Sequence, residues 1–256
     1  MRHFFIEPSK IFGSTSIITG SDARHIKTVL RLKPGDKIGL YDGRGFEYRA
    51  EIISFSPEGI NISITDRFPS TAESPVQIAI AQAFLKEKKM DGIVRQLTEL
   101  GITKWIPFFA ERSVSRPDNK QIKARTQRWK KIAKEALKQC KRGRIIEIGE
   151  TVSFEEMLDL GESFDLKIVF WESEFKLVNS ELPKPDRRIK TIFAVLGPEG
   201  GLTSQEIESA RNRGFVTAAL GPRILRAQTA TLAASVLLQY IFGDMGQKHL
   251  DKKQCF

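Results

Sequence analysis

Apolar and polar residues alternate over "EYRAEIISF" (47–55), broken only at Ile52-Ile53, the period-two pattern of a strand with one buried face. Shorter apolar runs surround it: "FFI" (4–6), "SII" (16–18), "KIGLY" (37–41) and "INISIT" (60–65). The turn signals "PGD", "YDGRG" and "SPEG" separate them. So many short strands before residue 68 predict a small β-barrel. One helix is expected around "SDARHIKTVLRL" (21–32), with Ser21 or Asp22 as N-cap. The polar segment "TDRFPSTAESP" (65–75), bounded by Pro69 and Pro75, reads as a linker. It divides the chain into a domain at 1–70, a second at 74–245 and a tail at 246–256.

Beyond the linker the period changes. "VQIAIAQAF" (76–84) is a buried-strand run, after which Met90, Ile93, Val94, Leu97 and Leu100 recur at helical spacing and Gly101 closes the helix. "KWIPFFA" (104–110) is the next strand. A basic helix follows, with Trp129, Ile132, Ala133, Ala136, Leu137 and Cys140 on one face, while Arg128, Lys131, Lys138, Lys141 and Arg142 point away from it. Then come "RIIEI" (144–148), a helix opened by a capping box at Ser153 and Glu156, and the strands "LKIVFWE" (166–172), "KTIFAVLG" (190–197) and "FVTAALG" (215–221). Strands alternating with helices predict a mostly parallel α/β sheet of about six strands, whose ligands sit beyond the strands' carboxyl ends.

Composition changes the picture of the partner more than that of the fold. The 256 residues are 41% apolar and 28% charged, an ordinary globular mix. No apolar run reaches the roughly 18 residues that span a bilayer, and "MRHFFIEPSK" lacks the features of a signal peptide. Cys140 and Cys255 make no disulfide framework, and His3, His25 and His249 are scattered, so no metal site or histidine-based triad is expected. A cytoplasmic protein fits these features. The net charge of +10 and pI of about 9.6 point to a polyanionic partner. Between Lys123 and Arg144, ten Lys and Arg stand against Glu135 alone, leaving +9 in one segment. A solvated helix face could account for a basic helix, but this concentration favours nucleic acid. Arg2, Arg24, Lys27, Arg31 and Arg44 would give the barrel a basic side.

Candidate chemistry gathers at three strand ends: Phe170-Trp171-Glu172, the Gly197 to Gly201 loop, and the loop Gly221-Pro222-Arg223-Ile224-Leu225-Arg226. Leu-Gly-Pro recurs at 196–198 and 220–222. Glycine there permits a sharp turn and close approach of a ligand to the main chain, and proline stiffens the turn. Thr203 and Glu206 form a capping box that starts the next helix. Glycines at 197, 200 and 201 with no following lysine match neither a Walker A loop nor a dinucleotide fingerprint, and Glu199 would repel a triphosphate. The loop is either a tight structural turn with an exposed glutamate or a cradle for a neutral heterocycle. A cationic or zwitterionic ligand would tolerate the carboxylate, and S-adenosylmethionine meets that description. Arg223 and Arg226 are either surface charges or holders of a phosphate or anionic oxygen. The small residues Ala227, Ala230, Ala233 and Ala234 allow the following helix to pack closely against the loop or a second subunit.

"LGPEGGLTSQE" and "LGPRILR" with the following "TA" resemble the RsmE family of the SPOUT superfamily. "KKMDGIVRQLTELGI", "FFAERSV", "RWKKIAKEA", "RHFF" and "VLRLKPGD" match it in order, so the resemblance runs to about Met245. It implies an α/β protein with an N-terminal PUA-like β-barrel that binds RNA. A SPOUT domain with a mostly parallel sheet and a C-terminal trefoil knot would follow. The implied activity is methylation of N3 of a uridine in 16S ribosomal RNA with S-adenosylmethionine, by a homodimer joined through the SPOUT domain, on the rRNA or the small ribosomal subunit. The resemblance assigns the cofactor to Trp171, Glu172, Leu196, Gly197, Pro198, Glu199, Gly200, Gly201, Leu220, Gly221, Ile224, Leu225 and Ala230. It assigns RNA to Arg2, Arg24, Lys27, Arg31, Lys86, Arg112, Arg128, Lys131, Lys138, Arg142 and Arg223. Uracil N3 carries a proton, so a site must stabilise the anion or accept the proton; Arg226 is the candidate for the first task and Glu199 for the second. The chain departs from the family pattern at Gln96, where lysine is usual, and at Lys138 and Gln228, where glutamate is usual. The competing reading is a non-catalytic RNA-binding protein built on the basic barrel and basic helix.

Overall fold

The long alternating run forms β5 (Phe46–Phe55) and pairs antiparallel with β6 (Ile60–Pro69) in a computed structural model that describes residues 1–86, 88–174 and 188–246. The chain divides into two compact units. One comprises Met1–Glu73 and Lys134–Ile145, the other Ser74–Ala133 and Ile146–Phe256. All but Gly246 of the 246–256 tail lies outside the described residues.

In the first unit six strands form a sheet in the order β1-β4-β5-β6-β3-β2, with β1 (Arg2–Phe5), β2 (Ile11–Phe12), β3 (Thr15–Ile18) and β4 (Lys37–Tyr41). Only β1 and β4 pair in parallel. The alternation of β5 places Tyr48, Ala50 and Ile52 inside, where they pack with Phe4, Ile38, Leu40, Ile60 and Ile62. Residues 65–69 of the expected linker belong to β6. Asp66 to Pro69 pair in continuous register with Arg49 to Phe46, a register shift at Arg49/Ala50 sets them off from the rest of the ladder, and Pro69 stands at the strand end, where a missing N–H is tolerated. The expected helix starts at Gly20, with Thr19 in the N-cap position and no side-chain cap. Ser21 and Asp22 lie within its first turn because Gly20, at φ +71°, makes the bend ahead of them. It continues as a π-helix over His25–Leu30 and stops at Arg31, which is left-handed at φ 51°.

The basic helix runs Asn119–Cys140, and its part from Lys134 onward, about two turns, belongs to the first unit. Trp129, Ala133, Ala136 and Leu137 are buried as the spacing predicts. Two of its expected outward cations turn inward. Lys138 Nζ lies 3.0 Å from Asp22 Oδ1. Arg142 follows the left-handed Lys141 (φ 61°), which ends the helical phase, and its side chain is 3% exposed. Its guanidinium meets Glu73 Oε2 at 2.8 Å while the Arg144 N–H donates to Glu73 Oε1 at 2.8 Å.

The second unit holds a seven-stranded sheet in which every pairing is parallel. Its order is β10-β8-β7-β12-β11-β13, with β9 on β8. The strands are β7 (Gln77–Ala83), β8 (Lys104–Phe109), β9 (Glu147–Ile148), β10 (Val152–Ser153), β11 (Leu166–Phe170), β12 (Thr191–Leu196) and β13 (Val216–Ala218). One face of the sheet packs Ala79, Ala81, Phe108 and Phe193 against Met157, Leu158, Ile207 and Ala210. On β7 the alternate residues Ile78 and Ile80 are also fully buried, and the helix Ala227–Ile241 packs against β7, β12 and the helix Lys89–Glu99. Burial on both faces explains why β7 reads as an unbroken apolar run. Among the described residues no helix is long and apolar enough to cross a membrane, and no cluster of His, Cys, Asp and Glu could hold a metal.

Replacing Glu73 with alanine strips a buried guanidinium and the Arg144 amide of their carboxylate. The expected cost is about 3 kcal/mol, read as a lowered urea midpoint; a loss below about 0.5 kcal/mol would show the pair to be energetically idle.

Candidate functional site

Because β11, β12 and β13 are parallel and adjacent, their carboxyl ends emerge together. The three loops they release enclose one cleft of about 580 Å³, within the usual range for small-molecule sites. Phe170, Trp171 and Glu172 come from the first loop, Leu196 to Gly201 from the second, and Ala219 to Ala227 from the third; Lys89, Gln228 and Ala230 complete the wall. Every residue assigned to a cofactor from sequence therefore lines the same cavity.

The glycine loop is set by its own neighbours. The Gly201 N–H donates to Pro198 O at 3.0 Å, closing a four-residue turn, and Gly201 is left-handed at φ +70°. A Cβ on Gly201 would collide with the Glu172 carboxylate, and one on Gly200 would press against Arg112 Cβ at 3.2 Å. Arg112 Nη1 also donates to Gly200 O at 3.2 Å. The left-handed backbone thus favours glycine at 201, and the close approach of Arg112 favours it at 200, reasons separate from ligand access. The loop ends in the helix Ser204–Asn212, whose Thr203–Glu206 capping box is formed as expected. Glu206 Oε1 reaches beyond the box to accept the Glu111 N–H at 2.9 Å, tying the loop after β8 to the same point.

Glu199 is not an idle surface charge. Its Oε1 accepts the Lys86 N–H at 3.1 Å and Lys89 Nζ at 2.9 Å. Partial burial alone would raise its pKa, but the bonds from Lys89 and the Lys86 amide prevail and hold it below the ordinary glutamate value. At the cleft floor, Trp171 N–H donates to Ala218 O at 3.1 Å and the Arg211 guanidinium stands 5.8 Å from its ring.

Gln82 is a site residue that sequence reasoning missed. It is fully buried at the end of β7, and its Nε2 donates to Gly197 O and Ala83 O, each at 3.1 Å. The Thr231 hydroxyl hydrogen-bonds Gln82 Oε1 and lies 2.8 Å from Ala227 O. One amide therefore joins the first glycine loop to the opening turn of the helix that follows the second. The available signal was a polar residue, one of two glutamines, inside the apolar run "VQIAIAQAF".

Arg223 and Arg226 are exposed and form no hydrogen bond or ion pair among the described residues; Ile224 between them is 85% exposed. Of the residues assigned to RNA, Arg2, Arg24, Lys27 and Arg31 are exposed in the first unit, and Lys86, Arg112, Arg128, Lys131 and Arg223 in the second. Lys138 and Arg142 are engaged as described above. Two family departures have local partners. Gln228 Nε2 donates to Lys89 O at 3.1 Å, a bond glutamate could not donate, and Lys138 pairs with Asp22. Nothing in the structure explains Gln96.

Comparison with known proteins gives a consistent result. A family model described as an RNA methyltransferase domain matches residues 72–239, and one described as an RNA methyltransferase PUA domain matches 18–65. The chain is 36% identical over 251 residues to ribosomal RNA small subunit methyltransferase E of Bacillus subtilis, covering 94% of this chain and 96% of the relative. It is 30% identical to the protein of the same name from Aquifex aeolicus, covering 94% and 100%. Among solved structures it is similar to a ribosomal RNA small subunit methyltransferase E from Neisseria gonorrhoeae bound to S-adenosyl methionine. That match has 28% identity and a TM-score of 0.83, with 96% and 99% of the chains covered. A Legionella pneumophila methyltransferase in complex with the same cofactor matches at 26% identity and TM-score 0.81, covering 95% and 98%.

Two outcomes test this geometry. Gln82→Leu leaves the buried Gly197 carbonyl and Thr231 hydroxyl short of a partner, at a cost of about 1–3 kcal/mol. It should weaken a cleft ligand more than Thr103→Val, which removes the half-buried Thr103–Ile78 bond; calorimetry on both variants makes the comparison. Because the folded pKa of Glu199 is depressed, its contribution is present above the unfolded value near 4.5 and lost as pH falls through the folded value. The stability gap between wild type and Glu199→Gln should therefore be largest near neutral pH and close in acid, as followed by thermal melts.

Proposed function

The chain belongs to the family of ribosomal RNA small subunit methyltransferases E, and on that footing we propose that it methylates N3 of a uridine in 16S ribosomal RNA. The observation that carries the reading is the single cleft built from three strand-end loops, with an anchored Glu199 and, at its mouth, Glu172 and two arginines whose side chains have no partner among the described residues. S-adenosylmethionine, when bound, supplies an electrophilic methyl group on its sulfonium.

The residues present fit that cofactor. Leu196, Leu220 and Leu225 give apolar walls for a heterocycle, and the glycine-loop main chain offers donors and acceptors along them. Glu172 makes no hydrogen bond among the described residues and can accept from sugar hydroxyls or an amino group. Lysine is missing from the glycine loop, and Glu172 offers a carboxylate to the cleft, so a ligand that carries a cationic group is accommodated there. Its bonds to Lys86 and Lys89 make Glu199 a strut of the loop in preference to a proton acceptor.

The chain's part in the reaction is mainly positioning, which converts an encounter into a near-attack geometry. Arg226 precedes the helix Ala227–Ile241 at the cleft mouth. There its guanidinium would stabilise the oxygens of a uracil that has lost its N3 proton, lowering the barrier where charge develops. The basic N-terminal unit would hold the RNA, and a homodimer would form through the second unit. The exposed Val236 and Tyr240 on the helix Ala227–Ile241 support that pairing.

Calorimetry should show S-adenosylmethionine binding, and nucleoside mass spectrometry of 16S rRNA treated with the protein should show N3-methyluridine. Absence of cofactor binding at millimolar concentration would favour a non-catalytic RNA-binding protein. Arg226→Ala should cut turnover roughly 100-fold while cofactor Kd stays within about twofold; an equal loss of both would remove Arg226 from the chemistry.

A further inference from the structure

A second cleft lies in the same unit, of about 290 Å³, between the start of the helix Lys89–Glu99 and the middle of the helix Asn119–Cys140. Among the described residues, Lys88, Met90, Asp91, Arg125, Arg128 and Trp129 line it. Met90 and Trp129 are each 1% exposed and form an apolar floor. Asp91, its one acid among the described residues, is already used twice: Trp129 Nε1 donates to Oδ1 at 3.0 Å, and Arg128 Nη2 lies 2.5 Å from Oδ2. That leaves the side chains of Lys88 and Arg125 at the cleft with no hydrogen bond or ion pair among the described residues. Arg125 is half-buried, where an unpaired guanidinium is costly.

The segment from Lys86 to Asp91 serves both clefts. Lys86 and Lys89 hold Glu199 at the cofactor cleft, while Lys88, Met90 and Asp91 line the second. An RNA whose target base enters the first cleft therefore brings neighbouring phosphates past the second. We infer that the second cleft is a phosphate subsite for the backbone of the RNA substrate, with Lys88 and Arg125 as its ligands and Asp91 fixing Arg128 beside them. Arg125 suits a phosphodiester because its planar fork can donate two parallel bonds, and Lys88 adds a point charge. This rests on the chain acting on RNA, and it adds the route the strand takes beside the reacting base.

The test uses the full chain carrying Lys88→Gln and Arg125→Gln together, with a small-subunit rRNA fragment as ligand. Lys104→Gln with Lys190→Gln is the control. It removes the same charge from the opposite edge of the sheet, where β8 and β12 begin. The cleft variant should bind the fragment about tenfold more weakly, with a log–log salt slope shallower by about one because fewer phosphates are neutralised. Its S-adenosylmethionine Kd and melting temperature should match wild type, and the control should change RNA affinity less than twofold. An unchanged slope in the cleft variant, or an equal loss in the control, overturns the subsite. Inorganic phosphate and pyrophosphate serve as free-anion probes. If the cleft variant loses their binding while RNA affinity stays at the wild-type value, the site takes free anions and the backbone assignment is overturned. Failure of the wild-type protein to bind cofactor would instead remove the methyltransferase reading, leaving the RNA comparison intact.

Discussion

Parallel pairing of β12, β11 and β13 is the constraint on which the site depends. In an antiparallel arrangement the loops after these strands would leave from opposite edges, and Trp171, Glu199 and Arg226 would never share a cavity. The ladder places Phe170 level with Leu196 and with Ala218. Three loops far apart in the chain thereby become neighbours, and their sequences need supply only the lining.

Lining alone would not hold a shape, and the loops are pinned from several sides. Gln82 ties the Gly197 carbonyl to the helix after the second loop. Glu199 ties the turn to Lys86 and Lys89, and Arg112 ties Gly200 to the loop after β8. A buried amide with both ends satisfied stabilises one arrangement, because any alternative leaves donors or acceptors unpaired away from water. This accounts for a fully buried glutamine near the end of β7. Pre-organisation of this kind lets a site favour one ligand geometry without spending its binding energy on ordering loops.

Charge gives a subtler account. The excess of Lys and Arg between 123 and 144 is a property of the chain, but its members have different fates. Arg142 is an internal partner of Glu73, Lys138 of Asp22, and Arg128 of Asp91, while Arg125 has no anionic partner among the described residues. The basic segment thus contributes to folding as well as to the electrostatic surface. Only the cations left without an acid retain their full attraction for a polyanion.

Period and turn chemistry were enough to place the long strand at 47–55, the Thr203 and Ser153 capping boxes, the helix that Gly101 ends, and the three loops of the cleft. These features depend on residues within a turn or two of one another, so local sequence specifies them. The strand order, the partner of Glu199, the role of Gln82 and the burial of Arg142 depend on residues far apart in the chain. Lys89 is 110 positions from Glu199, and Thr231 is 149 from Gln82. No local pattern encodes such a pair, because a hydrogen bond is chosen only after packing has brought its two ends within reach. Which loops are equipped for chemistry was legible residue by residue; that they face one cavity, and which of their charges remain free, was settled by packing between distant segments.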